Sequence, residues 1–263
     1  MISEQKISVI ITSYNKEKFI QNTIKSCINQ NYDNYEIIVI DTGSTDKTKY
    51  LINKFDNKII KKIFINKKYL IPSKNQIYAI KLGIKNSSGS IICLLDGDDI
   101  FQNNKLKEIN YFFSLNKNLS IIQDKVKIFS PKKIIDFSLN ISKINKIFLP
   151  KFYPTSSFSF RKFEFRNFLK YRREKFELLE IDLMLFLYKK FKLNNNLIIN
   201  KSLTYYLFDE NGISSKYKKF NYSWFKKRYQ AHQFLKNLSI KKYPYKFDYF
   251  VTNIIFKFLK IFN

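Results

Sequence analysis

Asp96, Asp98 and Asp99, arranged as Asp96-Gly97-Asp98-Asp99, place three carboxylates within four residues. Anions that close repel one another unless a cation neutralises them. An all-oxygen cluster suits a hard divalent ion such as Mg²⁺ or Mn²⁺, usually shared with substrate phosphates. A solvated Asp-rich turn is the alternative, and the loop alone does not choose between them. Directly before it stands Ser90-Ile-Ile-Cys-Leu-Leu95, an apolar run that reads as a buried strand. Carboxylates at the C-terminal end of such a strand sit where α/β sheets bind ligands.

The preceding ninety residues alternate strand and helix. Lys6-Ile-Ser-Val-Ile-Ile-Thr12 is a β-branched run, and from Lys16 to Asn29 the residues Phe19, Ile20, Thr23, Ile24, Cys27 and Ile28 recur at helical spacing. Tyr35-Glu36-Ile-Ile-Val-Ile40 is a second strand, ending at Asp41-Thr42-Gly43-Ser44-Thr45-Asp46. A helix over about 46–55 and a strand over about 59–65 follow. Ser73-Lys74-Asn75-Gln76 has the Ser-x-x-Gln form of a capping box, opening a helix that Gly83 and the Asn86-Ser-Ser-Gly89 turn bring to a close. This order predicts an α/β, doubly wound, mostly parallel sheet in which Thr12 to Asn15, Asp41 to Thr45 and Asp96 to Asp99 converge at strand ends.

Three blocks, Ser8-Val-Ile-Ile-Thr-Ser-Tyr-Asn15, Glu36 to Asp46 and Gly89 to Asp99, resemble in order and spacing the motifs of glycosyltransferase family 2, inverting nucleotide-sugar transferases of the GT-A fold. The resemblance is strong over residues 6–110, weaker to about 215 and absent beyond. It implies a donor site in which Thr12 and Tyr14 cradle the nucleoside, Asp96 lies near the ribose hydroxyls, Asp98 holds Mn²⁺ or Mg²⁺, and Asp99 neighbours that metal. Lys74 matches a position where the family often has Arg near the diphosphate. Thr42 departs from the pattern, since many relatives carry a base-binding carboxylate there. Asp41, one residue earlier, either points into the same pocket or caps the following helix.

In the second half, Pro154-Thr-Ser-Ser-Phe-Ser-Phe-Arg161 resembles the strand preceding the family's acceptor-facing segment. Glu180, within Glu177-Leu-Leu-Glu180-Ile-Asp182, aligns with the general base. Asp182, two residues on, is the other candidate, and on a helix only one of the pair can face the cleft. Two exposed first-turn acids favoured by the helix dipole are the plainer reading. Asp209 aligns with a late metal-binding position, though an ordinary polar turn suits it better. The single histidine, His232, reads as structural, which argues against a Ser-His-Asp hydrolase or a His-rich zinc site.

The 263 residues divide into a donor half (1–110), an acceptor half of the same catalytic domain (111–218) and a basic, aromatic helical extension (219–263). Cys27 and Cys93 look like core residues, consistent with a reducing cytoplasm. No secretory signal is expected at the start and no bilayer-spanning run anywhere. Residues 1–110 hold 17 Lys and Arg against 11 Asp and Glu, whereas residues 111–263 hold 31 against 10, so most of the formal +27 lies outside the donor half. That excess calls for an anionic partner: an inner membrane leaflet, a lipid-linked acceptor or a nucleic acid, the last not favoured. From Phe247, apolar residues recur at Phe250, Val251, Ile254, Ile255, Phe258, Leu259 and Phe262, the stripe of an interfacial helix or of a docking face. The expected activity is metal-dependent, inverting sugar transfer to a surface polysaccharide, lipooligosaccharide or lipid-linked glycan. The alternative is a polyanion-binding protein on a degenerate transferase scaffold.

Overall fold

The computed structural model describes residues 4–66, 72–130, 133–137, 154–164, 196–207, 220–237 and 245–263. Three β-branched runs form the strands β1 (Ile7–Ser13), β2 (Tyr35–Asp41) and β3 (Ile60–Phe64), and the run before the acidic loop forms β4 (Ile91–Asp96). Between them lie α1 (Ile20–Ile28), α2 (Thr48–Asn53) and α3 (Pro72–Lys85). These four strands pair in parallel in the order β3-β2-β1-β4. The chain therefore winds outward from β1 in both directions, and the switch point lies between β1 and β4. Ligand crevices of open α/β sheets form at that place.

The sheet continues through β5 (Ile100–Phe101), α4 (Lys105–Leu115), β6 (Ile121–Ser130), β7 (Lys133–Phe137), β8 (Phe158–Arg161) and β9 (Asn196–Leu207). β8 runs antiparallel to both β4 and β6; β9 runs parallel to β6 and antiparallel to β5. The result is the mixed, mostly parallel doubly wound α/β sheet that the sequence predicts. Two helices, α5 (Tyr222–Asn237) and α6 (Lys246–Ile261), complete the described chain.

Strand periodicity sorts the core into two layers. Ile7, Val9 and Ile11 face α1 and α4 through Ile20, Ile24, Cys27, Leu106 and Ile109, while Ile10 faces α3 through Ile77 and Ile80. Each fully buried Ile or Val contributes roughly 1.5–3 kcal/mol. Apolar burial thus holds the sheet, and the polar loops at its carboxyl edge are free to serve another purpose. Cys27 and Cys93 are buried and unpaired in the core. Burial pushes both thiols up, Cys93 to about 11, so neither is a thiolate nucleophile at neutral pH.

Three local readings need correction. α1 starts at Ile20 rather than Lys16, because Lys16 to Phe19 are held as a turn, with the Lys16 amide donating to Thr48 Oγ1 (2.7 Å). α3 runs through Gly83 to Lys85. Gly83 is there for close packing: a Cβ would come within 2.7 Å of the Ile10 side chain. The Gln76 side-chain amide, expected to turn back to the helix start, reaches across to Asp96 instead.

Candidate functional site

The parallel register sets the site. Thr12 is level with Asp96 and Ser13 with Asp41, so three loops leave the sheet side by side. Asn15 clasps the first two: its amide donates to Ser44 Oγ (2.8 Å), and its Oδ1 accepts from the Thr45 amide (2.8 Å). Its φ of 51° is a left-handed conformation that Asn tolerates. Asp46 accepts from the amides of Thr48 (3.0 Å) and Glu17 (3.2 Å). Burial raises the Asp46 pKa, but those hydrogen bonds outweigh it and hold the group below its usual value. The third loop joins through Gly97, whose amide donates to the Thr12 carbonyl (2.8 Å) and whose carbonyl accepts from Thr23 Oγ1 (3.1 Å).

The three loop carboxylates diverge. Asp96, half-buried, accepts through Oδ1 from Thr12 Oγ1 (3.2 Å) and Gln76 Nε2 (2.6 Å). Asp98 pairs with the Lys16 ammonium, and the two side chains retain 16% and 21% exposure, so water and small ions reach the pair. Asp99 turns the other way and is fully buried. It accepts from Ser156 Oγ and from the Leu207 amide (3.1 Å). Burial, then the charges of Asp98 and Asp96, push its pKa well above the usual carboxylate range. Both Asp99 oxygens thus accept bonds from the protein interior, whereas Asp98 keeps some exposure.

The side chains of Thr42 and Asp41 are likewise engaged within the protein. The Thr42 hydroxyl is buried, donates to the Ser13 carbonyl (3.1 Å) and accepts from Asn75 Nδ2 (2.8 Å). Its proton is committed to joining β1, β2 and α3. Asp41, also buried, accepts from the Ser44 amide (3.0 Å) and hydroxyl. It closes the Asp41–Ser44 turn, while Asp46 satisfies the start of α2. Gly43 makes that turn possible with φ of 80°. Tyr14 is half-buried just past β1, and Lys74 is half-buried in the first turn of α3, beside Asn75 and Gln76, which reach Thr42 and Asp96. Thr12, Tyr14, Asp41, Thr42, Lys74, Asp96 and Asp98 thus gather at one edge of the sheet. Glu180, Asp182 and Asp209 lie outside the described residues.

Beneath the acidic loop is a buried polar layer for which the sequence offers no motif. Ser156, in a 3₁₀ turn at Thr155–Ser157, accepts the Asp96 amide (3.0 Å) while donating to Asp99. The fully buried Lys105 pairs with Asp124 and donates to Thr204 Oγ1 (3.1 Å), with its ammonium 4.7 Å from the Phe101 ring centre. Burial raises Asp124, partly offset by the Lys105 charge. The signals that could have found this layer are weak ones: an Asp inside an apolar strand and a Ser run before one.

Could this edge hold a divalent ion? No three acidic, His or Cys side chains converge as a ready-made metal cage among the described residues. Nucleotide-site Mg²⁺ is commonly held by one or two carboxylates plus phosphates and waters, and Asp98, already carrying one cation, fits that arrangement.

A family model described as glycosyl transferase family 2 matches residues 8–195. An Escherichia coli protein named UDP-Glc:alpha-D-GlcNAc-diphosphoundecaprenol beta-1,3-glucosyltransferase is 33% identical over 129 residues, 49% of this chain and 49% of that one. The chain spans about half the length, or less, of the curated relatives it matches. Among solved structures, S. aureus TarS in complex with UDP matches with a TM-score of 0.64 at 19% identity, covering 97% of this chain and 70% of that one. A mannosyltransferase from Pyrobaculum calidifontis, solved with GDP-Man and Mn²⁺, matches with a TM-score of 0.62 at 11% identity, covering 98% and 74%. These likenesses establish the fold as GT-A. With the family model spanning the strand-end site and most of the chain, this protein belongs to glycosyltransferase family 2.

Proposed function

We propose that the chain is a metal-dependent, inverting glycosyltransferase that moves a sugar from a nucleotide-diphosphate donor to an acceptor hydroxyl of a cell-surface polysaccharide, lipooligosaccharide or lipid-linked glycan. One observation carries this reading: Thr12 and Asp96 meet at the β1/β4 switch point beside the Lys16–Asp98 pair. Polar groups for a nucleoside and charge for a diphosphate therefore share one edge of the sheet. The names of the E. coli relative and of the TarS complex, with a lipid diphosphate acceptor and bound UDP respectively, support the same reading.

In this assignment Asp96 accepts from the ribose hydroxyls, with Thr12 and Gln76 fixing its carboxylate, and Tyr14 borders the base. Lys74, in the first turn of the 14-residue α3, faces the diphosphate, where the positive end of the helix dipole adds to its charge. Asp98 would hold Mg²⁺ or Mn²⁺ together with the donor phosphates, an ion that supplies Lewis-acid stabilisation of the charge on the departing diphosphate. Glu180 is the proposed base, with Asp182 the other candidate. It takes the acceptor proton as that oxygen attacks the anomeric carbon opposite the nucleotide, and a single displacement inverts the configuration.

The test is a thermal-shift screen of nucleotide sugars with and without Mn²⁺, because a ligand that binds only the folded state raises its melting temperature. The expected result is stabilisation by one nucleotide class that grows with Mn²⁺. The +21 carried by residues 111–263 favours one competitor, a polyanion-binding protein on an idle scaffold. Steeply salt-dependent DNA binding without any nucleotide-sugar stabilisation would put that competitor in place of the transferase.

A further inference from the structure

We infer that α6 is an interfacial helix that seats the protein on an anionic lipid surface. The helix is turned inside out for a water-facing element. Its buried residues are Asp248 and Thr252, while Phe250 (61%), Ile254 (50%), Phe258 (59%) and Phe262 (70%) stand exposed at spacings of four residues. Phe247 and Ile261 are exposed as well. Singly exposed apolar residues are ordinary, but a continuous apolar row along about three turns marks a contact surface.

The orientation is fixed from the other side. Asp248 accepts from Arg228 of α5 and lies 3.1 Å from His232 Nε2. Gln233 Nε2 donates to the Tyr249 hydroxyl (2.8 Å), and Tyr229 stacks on Phe256 at 4.7 Å between ring centres. These contacts hold the polar face of α6 against α5, so the apolar stripe does not dock on the catalytic domain among the described residues. His232 is a structural residue of this contact, as its sequence setting predicts.

Charge identifies the occupant. Residues 219–263 contain ten Lys and Arg against one acid, Asp248, and that acid is the buried one. Lys246, Lys257 and Lys260 of α6 are exposed. A second copy packed on this stripe about a two-fold axis would bring like charges together. An anionic leaflet offers both an apolar bed for the rings and counter-charge for the lysines. No helix among the described residues is long and apolar enough to cross a membrane, so α6 lies along the interface. The inference goes beyond the proposed transfer reaction, and its readout needs no donor.

The full chain is to be sedimented with vesicles of phosphatidylglycerol and phosphatidylcholine, or of phosphatidylcholine alone, in low and high salt. We expect binding that needs phosphatidylglycerol and weakens with salt. The triple variant Phe250→Ser, Ile254→Ser, Phe258→Ser should lose at least tenfold in vesicle partitioning with its melting temperature unchanged, and Lys257→Glu with Lys260→Glu should weaken phosphatidylglycerol binding alone. Undiminished vesicle binding by the triple variant would overturn the inference. So would a lipid-free dimer of the parent chain that the triple variant abolishes, or a large fall in its melting temperature. Nucleotide-sugar stabilisation measured on the same variant separates failure of this inference from failure of the donor reading.

Discussion

Lys16, three residues past β1, places its ammonium on the carboxylate of Asp98, two residues past β4. The parallel pairing of those strands brings the two loops together. A protein cation therefore sits on the carboxylate expected to serve a divalent one.

Lys16 and a metal ion should compete for Asp98. Lys16→Met keeps the aliphatic stem and removes the charge, so Mn²⁺ binding without donor should tighten several-fold in calorimetric titration. Asp98→Asn should instead abolish metal-enhanced donor binding and leave the fold intact. Unchanged Mn²⁺ affinity in both variants would remove Asp98 from the metal site.

Asp99 should behave in the opposite way. Asp99→Asn leaves one oxygen for two donors, Ser156 and the Leu207 amide, and an unsatisfied buried donor costs about 1–3 kcal/mol. Denaturant unfolding should show that loss, while Mn²⁺ affinity stays close to that of the parent chain.

The buried pair Lys105–Asp124 tests whether the layer under the loop is structural. Lys105→Met leaves the Asp124 charge buried and uncompensated, which should cost about 3–5 kcal/mol. Adding Asp124→Leu should restore most of the stability, since an apolar replacement of both partners is often close to neutral. A double variant no more stable than the single one would refute this account.

Glu180→Gln keeps shape and hydrogen-bonding capacity but cannot accept a proton. Sugar transfer should fall by a factor on the order of 10² to 10⁴ with donor affinity little changed. The same pattern in Asp182→Asn, and not in Glu180→Gln, would exchange the two roles.

At the opposite end of the sheet Glu36 accepts from Ser8 Oγ (2.6 Å), from Ser88 and from the Gly89 amide (3.3 Å). Burial raises its pKa, but these hydrogen bonds outweigh it and hold the group below its ordinary 4.5. A carboxyl depressed in the folded state adds stability above its unfolded pKa and loses it as pH falls through the folded one. The melting-temperature gap between the parent chain and Glu36→Gln should therefore be full at neutral pH and shrink below about pH 4.5. A gap independent of pH would show that the ionised form is not what matters.

Sequence alone determined the alternation of strands and helices up to β4 and the clustering of Thr12, Asp41 and Asp96 at one edge. Periodicity and turn chemistry are local, and parallel winding then places every strand end on the same side. It also marked the rings of α6 as a single stripe and His232 as structural. Tertiary structure decided what each side chain faces. Ser156 reaches Asp96 and Asp99 from 60 and 57 residues away, and no local pattern encodes so distant a partner. Those bonds turn Asp99 inward and leave Asp98 to Lys16. Asn75 and Gln76 stand near the start of the helix that the sequence marks there, and they reach Thr42 and Asp96 because α3 packs across β1 and β2. The stripe on α6 could have faced inward or outward. Asp248 settled it, since a buried carboxylate needs partners, and Arg228 and His232 on α5 supply them from the side opposite the rings.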